Sequence, residues 1–179
     1  MNYFENEDKI YFAKMKEGAV IPTKREEDAG YDLYACFDED FFVVEAGKTR
    51  AIPTALAVAY SKKYYAQIEE RSSMAKLGIK KSGGVMDSGY RGEYLIVTYN
   101  TNDKPFVISK KTAEEIGESF FVDGKKYDTS EVILYPYTKA ICEMVLQIVP
   151  KMEEQELSYE ELKNIPSARK TGGFGSSNK

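Results

Sequence analysis

What most limits the folds open to this chain is a rhythm of short strand-like runs. The runs "KIYFAKM", "YDLYACF", "FFVVEAG", "TALAVAY", "YYAQIEE", "EYLIVTYN", "KPFVIS", "EVILY" and "AICEMVLQIV" are rich in β-branched and aromatic residues, and Gly, Pro, Asp and Lys clusters separate them. Strands of this length with turns at this spacing predict an antiparallel sandwich or barrel. Helix is scarce. "TAEEIGESF" has the capping-box spacing at Thr112 and Glu115, with Gly117 limiting its length. "SYEELKN", Ser158 to Asn164, repeats that spacing with a Ser cap and Glu161.

At 179 residues, 42% apolar and 13% aromatic, the chain has material for one hydrophobic core and one ordinary domain. A formal net charge of −4 speaks against a nucleic-acid partner, because backbone binding relies on clustered Lys and Arg. The N-terminal "MNYFENEDKIYFAKMK" has no apolar signal-like stretch, and "AIPTALAVAY" is far too short to span a bilayer. A soluble, cytoplasmic protein with no membrane partner is expected. Cys36 and Cys142 are too isolated for a zinc cluster and read as small buried hydrophobes.

The chain contains no histidine. Imidazole acid–base chemistry, serine-protease-type triads and His-ligated metals are therefore excluded. Any reaction must use carboxylates, hydroxyls, backbone amides, Arg and Lys, or a metal ion bound through oxygen.

Three segments suit such chemistry. In "ERSSMAKLGI", Arg71, Ser72 and Ser73 offer a guanidinium fork and hydroxyls that fit phosphate oxygens at a strand-to-helix turn, and they equally fit an ordinary helix cap. In "DAGYDLYA", Asp32 is either a strand-edge turn residue or an oxygen ligand near a hard cation. "SGGVMDSGYRGEY" followed by "LIVTYN" reads as a β-hairpin with turns at Gly83-Gly84 and near Gly89. Glycine there leaves main-chain N–H and C=O groups bare for the edge of a flat base, and Tyr90 can lie against a sugar. Asp87 then needs only a water, since carboxylates are ionised at neutral pH and can orient and deprotonate one. The same Asp-Ser-Gly also fits a solvent-facing turn.

After Pro166 the strand pattern stops, and "SARKTGGFGSSNK" is basic, glycine-rich and hydroxyl-rich. Its composition is that of a flexible tail. Its content, Arg169, paired glycines including Gly173, Phe174, Ser176 and Ser177, is also what wraps a phosphorylated aromatic ligand.

Taken in order, "DAGYDLYA", "RSSMAKLG", "GGVMDSGYRGEY", "AICEMVLQ" and "RKTGGFGSS" resemble the five motifs of the trimeric dUTP pyrophosphatase (dUTPase) family, and together they run from residue 28 to 177. The resemblance implies an all-β, distorted jelly-roll barrel with little helix. It also implies a homotrimer with shared active sites and Mg2+-assisted hydrolysis of dUTP to dUMP and pyrophosphate. By position, the resemblance makes Asp87 the activator of the attacking water and Asp32 a second catalytic carboxylate that meets the metal through water. Arg71, Ser72, Ser73, Arg169, Ser176 and Ser177 fall on phosphates, Gly84 and Gly173 present backbone, Tyr90 packs under deoxyribose, and Phe174 stacks on uracil. The layout expected is a β domain over 1–165 with an insertion around 104–135, open to a protein partner, and a C-terminal arm over 166–179.

The chain departs from the family pattern at three positions. Gly89 stands where a second acid is usual, Glu143 where Gln is usual, and Lys170 where glycine is common. Two other readings compete. A dCTP deaminase shares the "DSGYRG"-like turn and the Arg-Ser-Ser segment, but Val97 occupies the position of its catalytic Glu, and valine cannot shuttle a proton. A nucleotide-sensing regulator on the same fold would use the insertion as its interaction surface.

Overall fold

The computed structural model describes residues 9–168 and 170–172. In chain order the body begins with β1 (Ile10–Lys14), β2 (Tyr31–Leu33), β3 (Phe41–Val44), β4 (Thr49–Ile52), β5 (Leu56–Tyr60) and β6 (Tyr64–Glu70). After α1 (Ser72–Lys76) come β7 (Ile79–Lys81), β8 (Val85–Met86), β9 (Ile96–Asn100) and β10 (Phe106–Ser109). Then follow α2 (Ala113–Ile116), β11 (Ser119–Val122), β12 (Lys125–Asp128), a 3-10 turn, β13 (Ile133–Pro136), β14 (Cys142–Ile148) and α3 (Tyr159–Asn164). The chain divides into two compact units, Met1–Val149 and Pro150–Lys179. Mostly strand with a few short helices is the expected class.

Period-two alternation decides which side chains enter the core. On β14, Cys142 and Met144 are buried and Glu143 and Val145 are half-exposed; on β6, Ala66 and Ile68 are buried and Gln67 and Glu69 are not. Leu33, Ile68 and Met144 are fully buried, each stabilising the fold by about 1.5–3 kcal/mol relative to an exposed side chain. Both cysteines are free and buried, and burial pushes the Cys142 thiol well above its ordinary value.

The sheet that matters for function has the order β2-β14-β6-β8, every pairing antiparallel. A second sheet, β4-β9-β7, pairs β7 against β9 with Lys81 opposite Thr98. The hairpin expected over 82–100 does not form: β9 pairs with β7, which precedes that stretch, and β8 within it pairs with β6 instead. Glycine makes that crossing feasible: a Cβ on Gly84 would stand 2.9 Å from the Ile68 carbonyl oxygen, and the Ile68 N–H donates to the Gly84 carbonyl at 2.7 Å.

One pairing breaks the antiparallel expectation. β10 runs antiparallel to β3 but parallel to β13, with Phe106 opposite Ile133. Segment 104–135 thus opens and closes with strands of the body, and Phe106, Val107 and Ile108 are fully buried. Between them, α2 and the β11–β12 hairpin form a small apolar cluster in which Phe120 and Tyr127 pack with Val43 and Val107. Glu45 ties this hairpin down, accepting from Lys125 Nζ and from the Tyr127 hydroxyl at 2.6 Å each. Both capping boxes form, Thr112 with Glu115 and Ser158 with Glu161. None of the helices among the described residues is long and apolar enough to cross a membrane.

Within the second unit, Lys170 adopts φ +51°, and its N–H donates to Ser167 Oγ at 3.3 Å. The position where the resembled motif commonly has glycine keeps a glycine-like backbone with a lysine on it, a conformation that costs a non-glycine residue about 1–3 kcal/mol.

Candidate active site

Alternation and register together build a row of acids. Asp32 on β2, Glu143 on β14 and Glu69 on β6 are direct register partners, so all three side chains leave the same face of the sheet. Three neighbouring carboxylates repel unless cations intervene. Two do. Arg71, just past the end of β6, places Nε 3.2 Å from Asp32 Oδ1 and 3.8 Å from Glu143 Oε1. Lys81 Nζ sits 2.9 Å from Glu69 Oε2 and donates to the Ile68 carbonyl at 2.6 Å.

Arg71 is further held by an Nη1 bond to the Ala140 carbonyl at 3.3 Å. It precedes α1 as the N-cap residue with no side-chain cap bond, while Met74 plugs α1 into the core. Ser72 and Ser73 are left exposed beside the guanidinium. The helix stops at Gly78, whose φ of +70° suits glycine and whose carbonyl accepts from Thr101 Oγ1 at 2.7 Å. Gly30 completes the seat of Glu143, since a Cβ there would lie 3.1 Å from Glu143 Cβ and 3.2 Å from its Oε2.

The Asp87 loop is fixed from below by two buried tyrosines. The Tyr60 hydroxyl donates to the Met86 carbonyl at 2.7 Å and accepts from the Ala66 N–H at 3.0 Å. Its single proton being committed, Tyr94, 3.2 Å away, donates to it. The other end of the loop is pinned where Tyr94 N–H donates to Leu56 and Thr54 Oγ1 donates to the Tyr94 carbonyl, 2.8 and 2.7 Å. Between these anchors the Tyr90 N–H closes a turn on the Asp87 carbonyl at 3.0 Å.

Tyr90 stacks one face on Tyr94, centroids 6.2 Å apart, and its hydroxyl donates to the Glu93 carbonyl at 3.0 Å. It is still 44% exposed, which leaves ring surface for a ligand. A side chain at Gly92 would run into the Tyr90 ring. Position 89 differs: a Cβ there would meet nothing within 4 Å, so local packing does not demand the glycine. Val97 lies half-buried on β9 opposite Ala51, with its carbonyl taken by the Ser82 N–H at 2.8 Å.

Register separates the two halves of the site within one chain. Met86 pairs with Ala66, so Asp87 leaves the sheet near the start of β6, whereas Arg71 follows its end. Six residues of strand at the usual rise separate those ends by roughly 20 Å. The structure thus brings together Asp32, Arg71 and Glu143, with Ser72 and Ser73 adjacent, and sets Asp87, Tyr90 and Gly84 elsewhere along the same sheet. Arg169, Gly173, Phe174, Ser176 and Ser177 lie outside the described residues. Glu143, Gly30 and the Tyr60–Tyr94 pair were not identified from sequence as part of the site. Only Glu143 carried a signal, an acid where the motif usually has Gln.

For a divalent cation the donors are limited. Among the described residues no group of three or more acidic or thiol side chains is arranged to hold a metal ion. Asp32 and Glu143 fit instead as one or two carboxylates near a hydrated ion that a polyphosphate would bring with it.

Comparison with known proteins fits this layout. The family model described as dUTPase matches residues 16–113, which include the segments of Asp32, Arg71 and Asp87 and stop short of Glu143. The chain is 44% identical over 93 residues to the Pol polyprotein of caprine arthritis encephalitis virus, a match covering 52% of this chain and 8% of that protein. It is 35% identical over 104 residues to the deoxyuridine 5'-triphosphate nucleotidohydrolase of Leptospira interrogans, covering 56% of this chain and 71% of that one. A single-substitution mutant of the dUTPase of Staphylococcus bacteriophage 80alpha, solved with dUpNHpp, superposes with a TM-score of 0.70 at 18% identity, covering 95% of this chain and 98% of that one, which carries the fold. With the matched stretch covering over half the chain, the chain belongs to the dUTPase family.

Proposed function

We propose that the protein hydrolyses dUTP to dUMP and pyrophosphate, Asp87 preparing a water for attack on the α-phosphorus. The observation that supports this most is that three of the motif segments supply strands to the single sheet β2-β14-β6-β8 and a fourth begins at Arg71, directly after β6. In this reading Arg71, Ser72 and Ser73 bind phosphate oxygens, and the bare backbone at Gly84 meets the base. Tyr90, stacked on Tyr94, gives deoxyribose a flat surface that disfavours a 2'-hydroxyl. Asp32 would hold waters of an Mg2+ that accompanies the nucleotide, and such an ion would supply charge withdrawal from the phosphates. Arg169, Gly173, Phe174, Ser176 and Ser177 of the C-terminal arm close over base and phosphates.

The roughly 20 Å between Asp87 and Arg71 along β6 exceeds what one triphosphate can bridge while touching both, given that strands advance about 3.3 Å per residue. In this reading each site takes Asp87 and Tyr90 from one copy and Arg71 from another, as a homotrimer with shared active sites would arrange them. A cytoplasmic setting goes with a nucleotide substrate. In this reading a protein partner at the insertion would meet exposed residues such as Phe121 on β11. The valine at 97 disfavours deamination.

The test is incubation of purified protein with each deoxynucleoside triphosphate and Mg2+. Pyrophosphate released from dUTP supports the proposal. Ammonia from dCTP, or binding without turnover, overturns it.

A further inference from the structure

Arg71 faces two carboxylates. Asp32 lies 3.2 Å and Glu143 3.8 Å from its Nε. Glu143 is the chain's departure from the family's usual Gln at this position, and the fold is arranged around it. It stands over Gly30, where an added Cβ would approach both its Cβ and its Oε2. Its register partner Glu69 is already matched by Lys81 at 2.9 Å. Among the described residues, Arg71 is the one cation paired with Glu143.

We infer that Glu143 is a positioning residue that competes with the nucleotide for Arg71, and so makes the site discriminate by charge. The inference rests on the phosphate-binding role given to Arg71 above. A bound anion must draw the guanidinium away from a carboxylate that Gly30 keeps in place. A triphosphate brings enough charge to do so; a monophosphate product brings much less. When Arg71 turns to phosphate, Asp32 and Glu143 lose the guanidinium they share, and once the ion that the polyphosphate brings has left they stand opposite each other on adjacent strands with no cation between them. Like charges in that position repel, and the repulsion draws Arg71 back as the product leaves. A Gln at 143 keeps the shape and removes the competition.

Glu143→Gln tests this. The Ki for dUMP as a competitive inhibitor should fall roughly two- to fivefold, the range a partly exposed ion pair supports. The KM for dUTP should fall less, and kcat should drop as product release slows. The dUMP effect should shrink in high salt, because these groups are only partly screened from solvent. Gly30→Ala, which pushes on Glu143 without touching its charge, should shift the dUMP Ki in the same direction. Binding of inorganic tripolyphosphate, followed by calorimetry in both variants, separates this inference from the activity: it reports on Arg71 whether or not dUTP is turned over. Tighter tripolyphosphate binding by Glu143→Gln supports the inference. Unchanged or weaker binding overturns it, and a wild-type protein inert toward dUTP overturns the activity alone.

Discussion

The hydroxyls of Tyr60 and Tyr94 meet at 3.2 Å directly beneath the loop that carries Asp87. Neither ring has access to solvent, and the Tyr60 oxygen serves three partners at once: the Met86 carbonyl, the Ala66 N–H and the Tyr94 hydroxyl. The position of Asp87 is thereby set by core side chains that touch no ligand. Replacing Tyr60 by Phe takes this partner from the Met86 carbonyl, the Ala66 N–H and the Tyr94 hydroxyl, and the last two, buried and each costing about 1–3 kcal/mol when left unpaired, sum to about 2–6 kcal/mol. Urea denaturation should show a loss in that range, and kcat should fall with it as Asp87 loses its fixed position.

The same pair sets an alkaline limit. Burial raises the pKa of both tyrosines above the ordinary value, for Tyr94 with a further push from Tyr60. A raised acid holds its proton in the folded state while the unfolded chain releases it near pH ~10. Stability is therefore unaffected by these groups below about pH 10 and decreases above it, because the unfolded state then binds fewer protons. Thermal melts from pH 8 to 11 should show this fall, and Tyr60→Phe should reduce its slope.

Asp87→Asn keeps the loop and removes the base. dUTP binding should stay near wild type while kcat drops by ~10^2 to 10^4, the span of general-base contributions. A single-turnover rate equal to wild type would take Asp87 out of the base role.

The distance between Asp87 and Arg71 makes a subunit-mixing experiment decisive. Asp87→Asn and Arg71→Ala proteins should each be nearly inactive. Unfolded, mixed and refolded together, they should recover activity at ~one quarter of the sites, as random assembly of a cyclic oligomer requires. No recovery would place both residues in one chain's site.

Removing residues 166–179 should abolish or strongly reduce turnover while leaving the oligomer intact, as read by light scattering. Full-rate hydrolysis by the shortened protein would make that segment a tail rather than a closing arm.

Much of the fold was legible because side-chain period survives in the sequence. The nine strand-like runs all contribute strands, and both helices begin at the caps that Thr112 and Ser158 announce. Most of what was not legible lacked that period, the exception being the β11–β12 hairpin, where Phe120 is buried and Phe121 exposed. In β4, Thr49, Arg50 and Ala51 are all exposed, so no apolar alternation marks it. β7 and β8 are three and two residues long, too short for a pattern. Direction is also invisible to periodicity, so the parallel run of β10 beside β13 could not be read. The same holds for the site. Motifs located Asp32, Arg71 and Asp87, but register, which local composition does not encode, decides that Glu143 stands opposite Asp32 and that Asp87 exits at the far end of β6.

The parallel alignment of β10 and β13 has one more effect. Strands that point the same way cannot be joined by a tight turn, and the chain must travel back the full strand length, which takes a dozen or more residues. Residues 110–132 are that return route. Evolution could reshape or enlarge this detour, yet splicing it out would leave Ile133 with no way back to the start of the strand it accompanies.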